Sequence, residues 1–183
     1  MNKFFATALG ALTLVAGLSA ATTETFAARN YNTPLTELSL KPWAVSGLCK
    51  NNPAECRGGG SASVAATPDL LNLLKRVNVQ VNRSIRYRAE RIDDWAINPR
   101  EGDCEDYALS KRSALVRAGV DASALRIGIT STRQGASHAV LLVMTDRGRL
   151  VLDNRTGVIR EVGRSEYRIQ AMSGRSLNEW GRG

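Results

Sequence analysis

At Gly119 the hydrophobic rhythm of this chain changes from that of a helix to that of a strand, and no other feature constrains the fold as much. Upstream, Leu70, Leu74, Val77, Val81 and Ile85 recur at helical spacing and mark one face. Thr67-Pro68-Asp69 opens that stretch with a capping hydroxyl, a proline at the first helical position and an acid in the first turn. Ala89 to Gly102 reads as a loop carrying Trp95 and Pro99. A second helix is expected from about Asp103, with Tyr107, Ala108, Ala114, Leu115 and Ala118 on one face, interrupted by Lys111. Gly119 stands where a helix C′ residue belongs. Downstream, Leu125–Thr130 alternates as a strand does, and His138–Thr145 is a nearly unbroken apolar run. Leu150–Asp153, Val158–Val162 and Tyr167–Met172 complete the set of expected strands. Helices followed by a meander of strands predict an α+β fold, N-terminal helices packed on an antiparallel β-sheet.

The N-terminus reads as a different kind of segment. Met1-Asn2-Lys3 leads into an apolar block, Phe4 to Ala21, and small-residue sites follow up to Ala27. A basic start, an apolar centre and a small-residue cleavage site make residues 1–27 a secretory signal peptide. No later apolar segment is long enough to cross a membrane, so no span is expected once the signal is removed. Residues 28–67 are expected to be irregular, ending in a Gly/Ser/Ala linker, with the folded domain over 68–183. The formal net charge is +8, but the arginines are scattered and no dense basic run or aromatic interleaving occurs. That pattern serves solubility and points away from nucleic acid.

Export places the three cysteines in an oxidising compartment, periplasmic or secreted. Cys49 and Cys56 lie in one short polar stretch and are the natural disulfide pair. Closing so short a loop stabilises by about 2–3 kcal/mol. Cys104 is then the odd one, which implies an intermolecular bond or a reactive thiol.

Cys104 lies in Gly102-Asp-Cys-Glu-Asp-Tyr-Ala108, at an expected helix N-terminus. The dipole and free N–H groups there favour a thiolate and can hold an oxyanion. His138 is the chain's only histidine, so the base that a cysteine nucleophile requires is this residue or none. Asp153 can orient it if strand parity allows. A hairpin between the two strands puts His138 and Asp153 on one face only if its loop holds an even number of residues. Four loop residues align His138 with Arg155 and leave Asp153 one diagonal step away, about 7–8 Å; six put them directly opposite. Asn82, on the first helix, is a candidate second oxyanion donor. Asp103, Glu105 and Asp106 read either as helix caps or as calcium ligands. Three carboxylates around a thiol oppose its ionisation, and a hard cation would neutralise them.

Trp95, Pro99, the block from Gly102 to Arg112, Ser137-His-Ala-Val-Leu-Leu-Val143 and Val151-Leu-Asp-Asn154 together resemble the bacterial transglutaminase-like cysteine proteinase family, over about Val81 to Val162. The resemblance implies a papain/transglutaminase-like fold with Cys104 as nucleophile, His138 as base and Asp153 as orienting acid. Relatives in that family include periplasmic proteases that release surface adhesins under control of a membrane receptor. They bind calcium through acids that match Asp103 and Glu105. The expectation is therefore a peptidase or amidase working through a thioacyl-enzyme on a protein or peptide substrate, with an adhesin and a receptor as implied partners. Transglutaminase-type acyl transfer to an amine and a silent binding module are the alternatives. Two departures stand out: the short Pro99-Arg-Glu-Gly102 stretch, and Ser137 where a glycine often precedes the histidine.

Overall fold

The computed structural model describes residues 42–90 and 93–183, so the expected signal peptide, residues 1–27, lies outside the described residues. Four helices are described: α1 (Ala44–Asn51), α2 (Pro53–Cys56), α3 (Pro68–Ser84) and α4 (Cys104–Arg117). Two short strands, β1 (Arg86–Tyr87) and β2 (Glu101–Gly102), pair in parallel between α3 and α4. After α4 come β3 (Leu125–Ser131), β4 (Ser137–Thr145), β5 (Gly148–Leu152), β6 (Arg160–Glu161), β7 (Ala171–Ser173) and β8 (Trp180–Arg182). These six form one sheet in the order β6-β5-β4-β3-β7-β8, antiparallel throughout. No helix among the described residues is long and apolar enough to cross a membrane.

The sequence signals for α3 act as expected. Thr67 Oγ1 accepts the Leu70 N–H at 3.2 Å, and Pro68 occupies the first turn. Leu74, Val77, Val81 and Ile85 are buried in the main core. At the end of α4, Gly119 takes φ +91°, the left-handed conformation that a C′ glycine supplies without strain.

Three features differ from expectation. Residues 44–56 are helical rather than irregular, because Ala44, Val45, Leu48 and Cys56 bury an apolar face in the main core. The expected Cys49–Cys56 disulfide is present there. The Gly/Ser/Ala stretch is strapped down: Gly59 N–H donates to Ser123, Ser61 N–H to Asp121, and Val64 exchanges backbone hydrogen bonds with Met144 and Asp146. Finally, α4 buries every residue from Glu105 to Ser113, not one face. It runs between α3, the sheet and the disulfide segment, so its polar side chains other than Lys111 are bonded inside. Buried Arg112 donates to the carbonyls of Glu55 (2.5 Å), Arg57 (3.3 Å) and Leu125 (3.3 Å), joining α4 to the end of the disulfide segment and to the sheet.

The strand meander holds from β3 to β6, but β7 then crosses to the far edge beside β3 and carries β8 with it. Both faces of the sheet are covered. Leu141, Val143 and Leu152 belong to the main core, while Val140, Leu142, Val151 and Val162 pack with Tyr167, Ile169 and Met172. A strand buried on both faces needs no polar alternation, which explains the continuous apolar run of β4.

Candidate active site

Asp103 caps α4, and its own N–H donates to Asp106 Oδ2 at 3.3 Å, one arm of a reciprocal capping box. Asp106 is fully buried and also accepts the Ala96 N–H at 2.8 Å, tying the Trp95 loop to the helix start. Burial pushes Asp106 up to about 7, against the pull of the Ala96 amide. Gly102 is required at this junction, since a Cβ would lie 2.0 Å from Asp106 Oδ2. Trp95 itself is core: it is buried and meets Trp180 edge-on at 6.1 Å.

This capped start presents Cys104, half-buried and the free cysteine among the described residues. Burial raises its thiol well above the ordinary range, and the neighbouring Glu105 charge adds to this. The backbone amide of Ala139 works the other way, favouring the thiolate. Cys104 Sγ lies 3.2 Å from Glu105 Oε2. Because Ala139 follows His138 on β4, the thiol is beside the start of that strand.

The β4–β5 hairpin closes on Thr145↔Gly148, leaving the two-residue loop Asp146-Arg147. That even count gives the alignment expected for a four-residue loop, with Asp153 one diagonal step from His138. His138 Nε2 meets Asp153 Oδ1 at 2.9 Å, with both residues buried. Asp153 also accepts the Arg155 N–H at 3.0 Å and the Tyr167 hydroxyl. Burial alone would raise Asp153, but the hydrogen bonds from His138, Tyr167 and Arg155 outweigh it and hold the carboxyl at about 2. An ionised Asp153 can only accept, so the proton between them belongs to His138 Nε2, and Nδ1 is left as the free ring nitrogen. Burial and the bond to Asp153 push the Tyr167 hydroxyl up.

Asn82 has a task other than the one its sequence position suggests. Its Nδ2 donates to the carbonyls of Asp153 (2.9 Å) and Thr156 (3.2 Å), and Asn78 donates to the same Thr156 carbonyl at 3.0 Å. Both Asn82 amide protons are thus committed to the turn after β5, and the side chain is a clamp on that turn.

Around Cys104 the acids gather. Ligand atoms of Asp103, Cys104 and Glu105 lie within 4.8 Å of one another. Asp103 Oδ1 is buried and has no hydrogen-bond partner. Glu105 is buried, and burial first, then carboxyl contacts with Asp93 and Asp103, push it up to about 10. Sequence reasoning missed three participants. Asp93 sits in an aperiodic loop, Tyr167 falls in a segment read only as a strand, and the Ala139 contribution is a backbone amide with no side-chain signal.

Among solved structures, the chain is similar to LapG of Legionella pneumophila. The calcium-bound form aligns at 26% identity with a TM-score of 0.52, covering 59% of this chain and 66% of LapG. The EGTA-treated form aligns at 28% identity with a TM-score of 0.50, covering 59% and 64%. The chain therefore spans just under two thirds of the LapG chains it matches. No curated protein matches it. The α+β arrangement is the transglutaminase-like one, and the family model of the bacterial transglutaminase-like cysteine proteinases matches residues 35–182, from ahead of the disulfide segment to β8; the chain belongs to that family.

Proposed function

We propose that this chain is an exported cysteine peptidase in which Cys104 is the nucleophile, His138 the general base and Asp153 the acid that orients the imidazole. The observation that carries this reading is the buried His138–Asp153 pair at 2.9 Å, set beside the helix N-terminus that holds Cys104. With Nε2 bonded to Asp153, His138 takes the thiol proton on Nδ1. Cys104 then attacks the scissile carbonyl, and the oxyanion draws on N–H groups at the start of α4. The imidazolium returns its proton to the departing amine, and water hydrolyses the thioacyl-enzyme. Asp153 stabilises the imidazolium, and Tyr167 and the Arg155 amide hold that carboxylate still.

Calcium fits the acid cluster. The donors are hard oxygens, and the buried, unpartnered Asp103 Oδ1 is an acceptor in want of a cation. Asp103 and Glu105, with Asp93 beside Glu105, are the residues that would hold it. Calcium there would supply the positive charge that offsets carboxylates crowding a thiol. One LapG neighbour is calcium-bound and another EGTA-treated, which favours the same ion here. The substrate class we propose is a protein of the periplasm or cell surface, an adhesin by analogy with the family, and a membrane receptor is the regulator by the same analogy.

The test is covalent labelling by a thiol-reactive peptide probe. Wild type should be labelled at Cys104, and His138→Ala should slow that labelling steeply. Equal rates in the two proteins would mean the side chains do not cooperate, and the peptidase reading would fall.

A further inference from the structure

The ladder between β4 and β5 ends at Leu141↔Leu152, short of both His138 on one strand and Asp153 on the other. That ladder therefore does not fix their separation, and strands freed from a ladder diverge with the twist of the sheet. A second connection joins them. Residues 165–170, between β6 and β7, cross the face of the sheet that carries Val140, Leu142 and Val151, and Tyr167 and Ile169 pack on those side chains. His138 is on the same face by strand alternation. Gly128 leaves room for the crossing, since a Cβ there would lie 2.8 Å from Leu142 Cδ1 and 3.5 Å from Ile169 Cδ1. The Tyr167 hydroxyl donates to Asp153 Oδ2. One residue on, the Arg168 carbonyl accepts from Thr130 Oγ1 at 2.9 Å, and Thr130 is fully buried. Thr130 stands directly opposite His138 in the β3–β4 ladder. The Gln170 amide takes the Ile129 carbonyl on the far side of β3 at 2.8 Å, so alternation turns the Thr130 backbone groups toward His138. The contacts close a ring. It runs from His138 to Thr130 across the ladder, to Arg168, along the chain to Tyr167, to Asp153, and back to His138 at 2.9 Å. Gln170 Nε2, donating to Ser131 Oγ at 2.8 Å, and the Arg133–Glu166 ion pair fasten the same segment to the β3–β4 hairpin.

We propose that Thr130 and Tyr167 are paired positioning residues of the active site, setting the separation of His138 and Asp153 through the segment that crosses between them. Both act through the His138–Asp153 pair and not on the thiol. The inference rests on the triad reading above and goes beyond the local hold of Tyr167 on the carboxylate. It makes the strand that carries the imidazole and the carboxylate parts of one closed network, which opens as a whole when any link is cut. A displacement of about 1 Å in a reacting group can cost on the order of 10²-fold in rate, so a brace of this kind acts on the chemistry and not only on the fold.

The test is a double-mutant cycle over Thr130→Val and Tyr167→Phe in the full chain, with Thr130→Ser as the variant that keeps the donor. Labelling of Cys104 by a peptide chloromethyl ketone at rising concentration separates the limiting rate of inactivation from probe affinity. Thr130→Val and Tyr167→Phe should each lower the limiting rate about tenfold, within the range for residues that share a network, with probe affinity unchanged. Thr130→Ser should label at the wild-type rate. The double variant should be no slower than either single one, because the ring is already open. Losses that multiply to about a hundredfold would mean two separate effects and overturn the proposal. Wild-type rates in either single variant, or a Thr130→Ser protein as slow as Thr130→Val, would overturn it too. If Thr130→Val does not fold, Thr130→Ala carries the same comparison; a chain that folds with neither shows that Thr130 serves the fold, and the proposal falls. Asp153→Asn is the reference. If it labels at the wild-type rate, the triad reading fails, and this proposal with it. If it is slow while Thr130→Val and Tyr167→Phe are not, the triad stands and the ring alone is refuted.

Discussion

Replacing Asp153 with asparagine separates the two things the acid of the proposed triad does, holding a tautomer and supplying charge. In the wild type, Oδ1 accepts from His138 Nε2 at 2.9 Å and from the Arg155 N–H at 3.0 Å, while Oδ2 accepts from Tyr167. An asparagine can offer either its oxygen or its amide at the Oδ1 position. The Arg155 amide only donates, so it selects the oxygen, and that oxygen continues to accept from His138. The new amide then faces Tyr167, whose hydroxyl can turn to accept it. The tautomer survives and the charge is lost. Asp153 is held at about 2 against an ordinary 3.8, a preference for the anion worth about 2.5 kcal/mol. With that charge gone but the tautomer kept, labelling of Cys104 by the peptide probe should slow by well short of the roughly 10⁴-fold that a wrong tautomer costs the serine triad. Because His138 is the only histidine, nitrogen NMR of one imidazole reads the tautomer directly. A 10⁴-fold loss with the proton moved to Nδ1 would refute the selecting role of Arg155. An unchanged rate would remove Asp153 from the triad.

The same pair sets a pH dependence. Because the folded-state pKa is depressed, the Asp153 contribution, about 2.5 kcal/mol, is present above about pH 4 and lost as pH falls through about 2; a wild-type advantage over Asp153→Asn in urea unfolding that persists at pH 2 would contradict this. Calcium should raise the melting temperature, and Asp103→Ala or Glu105→Ala should weaken the effect; calorimetry with no binding heat up to millimolar calcium would leave those acids as helix caps. Asn82→Ala should lower both stability, by about 1–3 kcal/mol for the carbonyls it leaves unpaired, and the labelling rate, whereas an oxyanion donor would lose rate alone. Non-reducing peptide mapping should find Cys104 as the single free thiol, and Cys49→Ala/Cys56→Ala should cost about 2–3 kcal/mol in chemical unfolding.

What could be read from the sequence was whatever a local pattern encodes. Thr67-Pro68 starts α3 because capping is a matter of adjacent residues, and the even loop between β4 and β5 brings His138 to Asp153 because strand parity is arithmetic. The helices at 44–56 escaped, because their apolar face is short and makes sense only once the main core is there to receive it. β8 escaped for a similar reason: three residues, Trp180 to Arg182, are too few to show a period, and they become a strand only because β7 offers its edge. Lys111 and Arg112 show the limit most sharply. On a helical wheel Lys111 interrupts the apolar face and Arg112 stands beside it, yet α4 is enclosed from Glu105 to Ser113 and both cations are inside. Arg112 is satisfied by three carbonyls from two distant segments, while Lys111 Nζ has no hydrogen-bond partner and lies over the Tyr107 ring. Identical in charge and adjacent in sequence, the two differ only in what the tertiary structure brings to them.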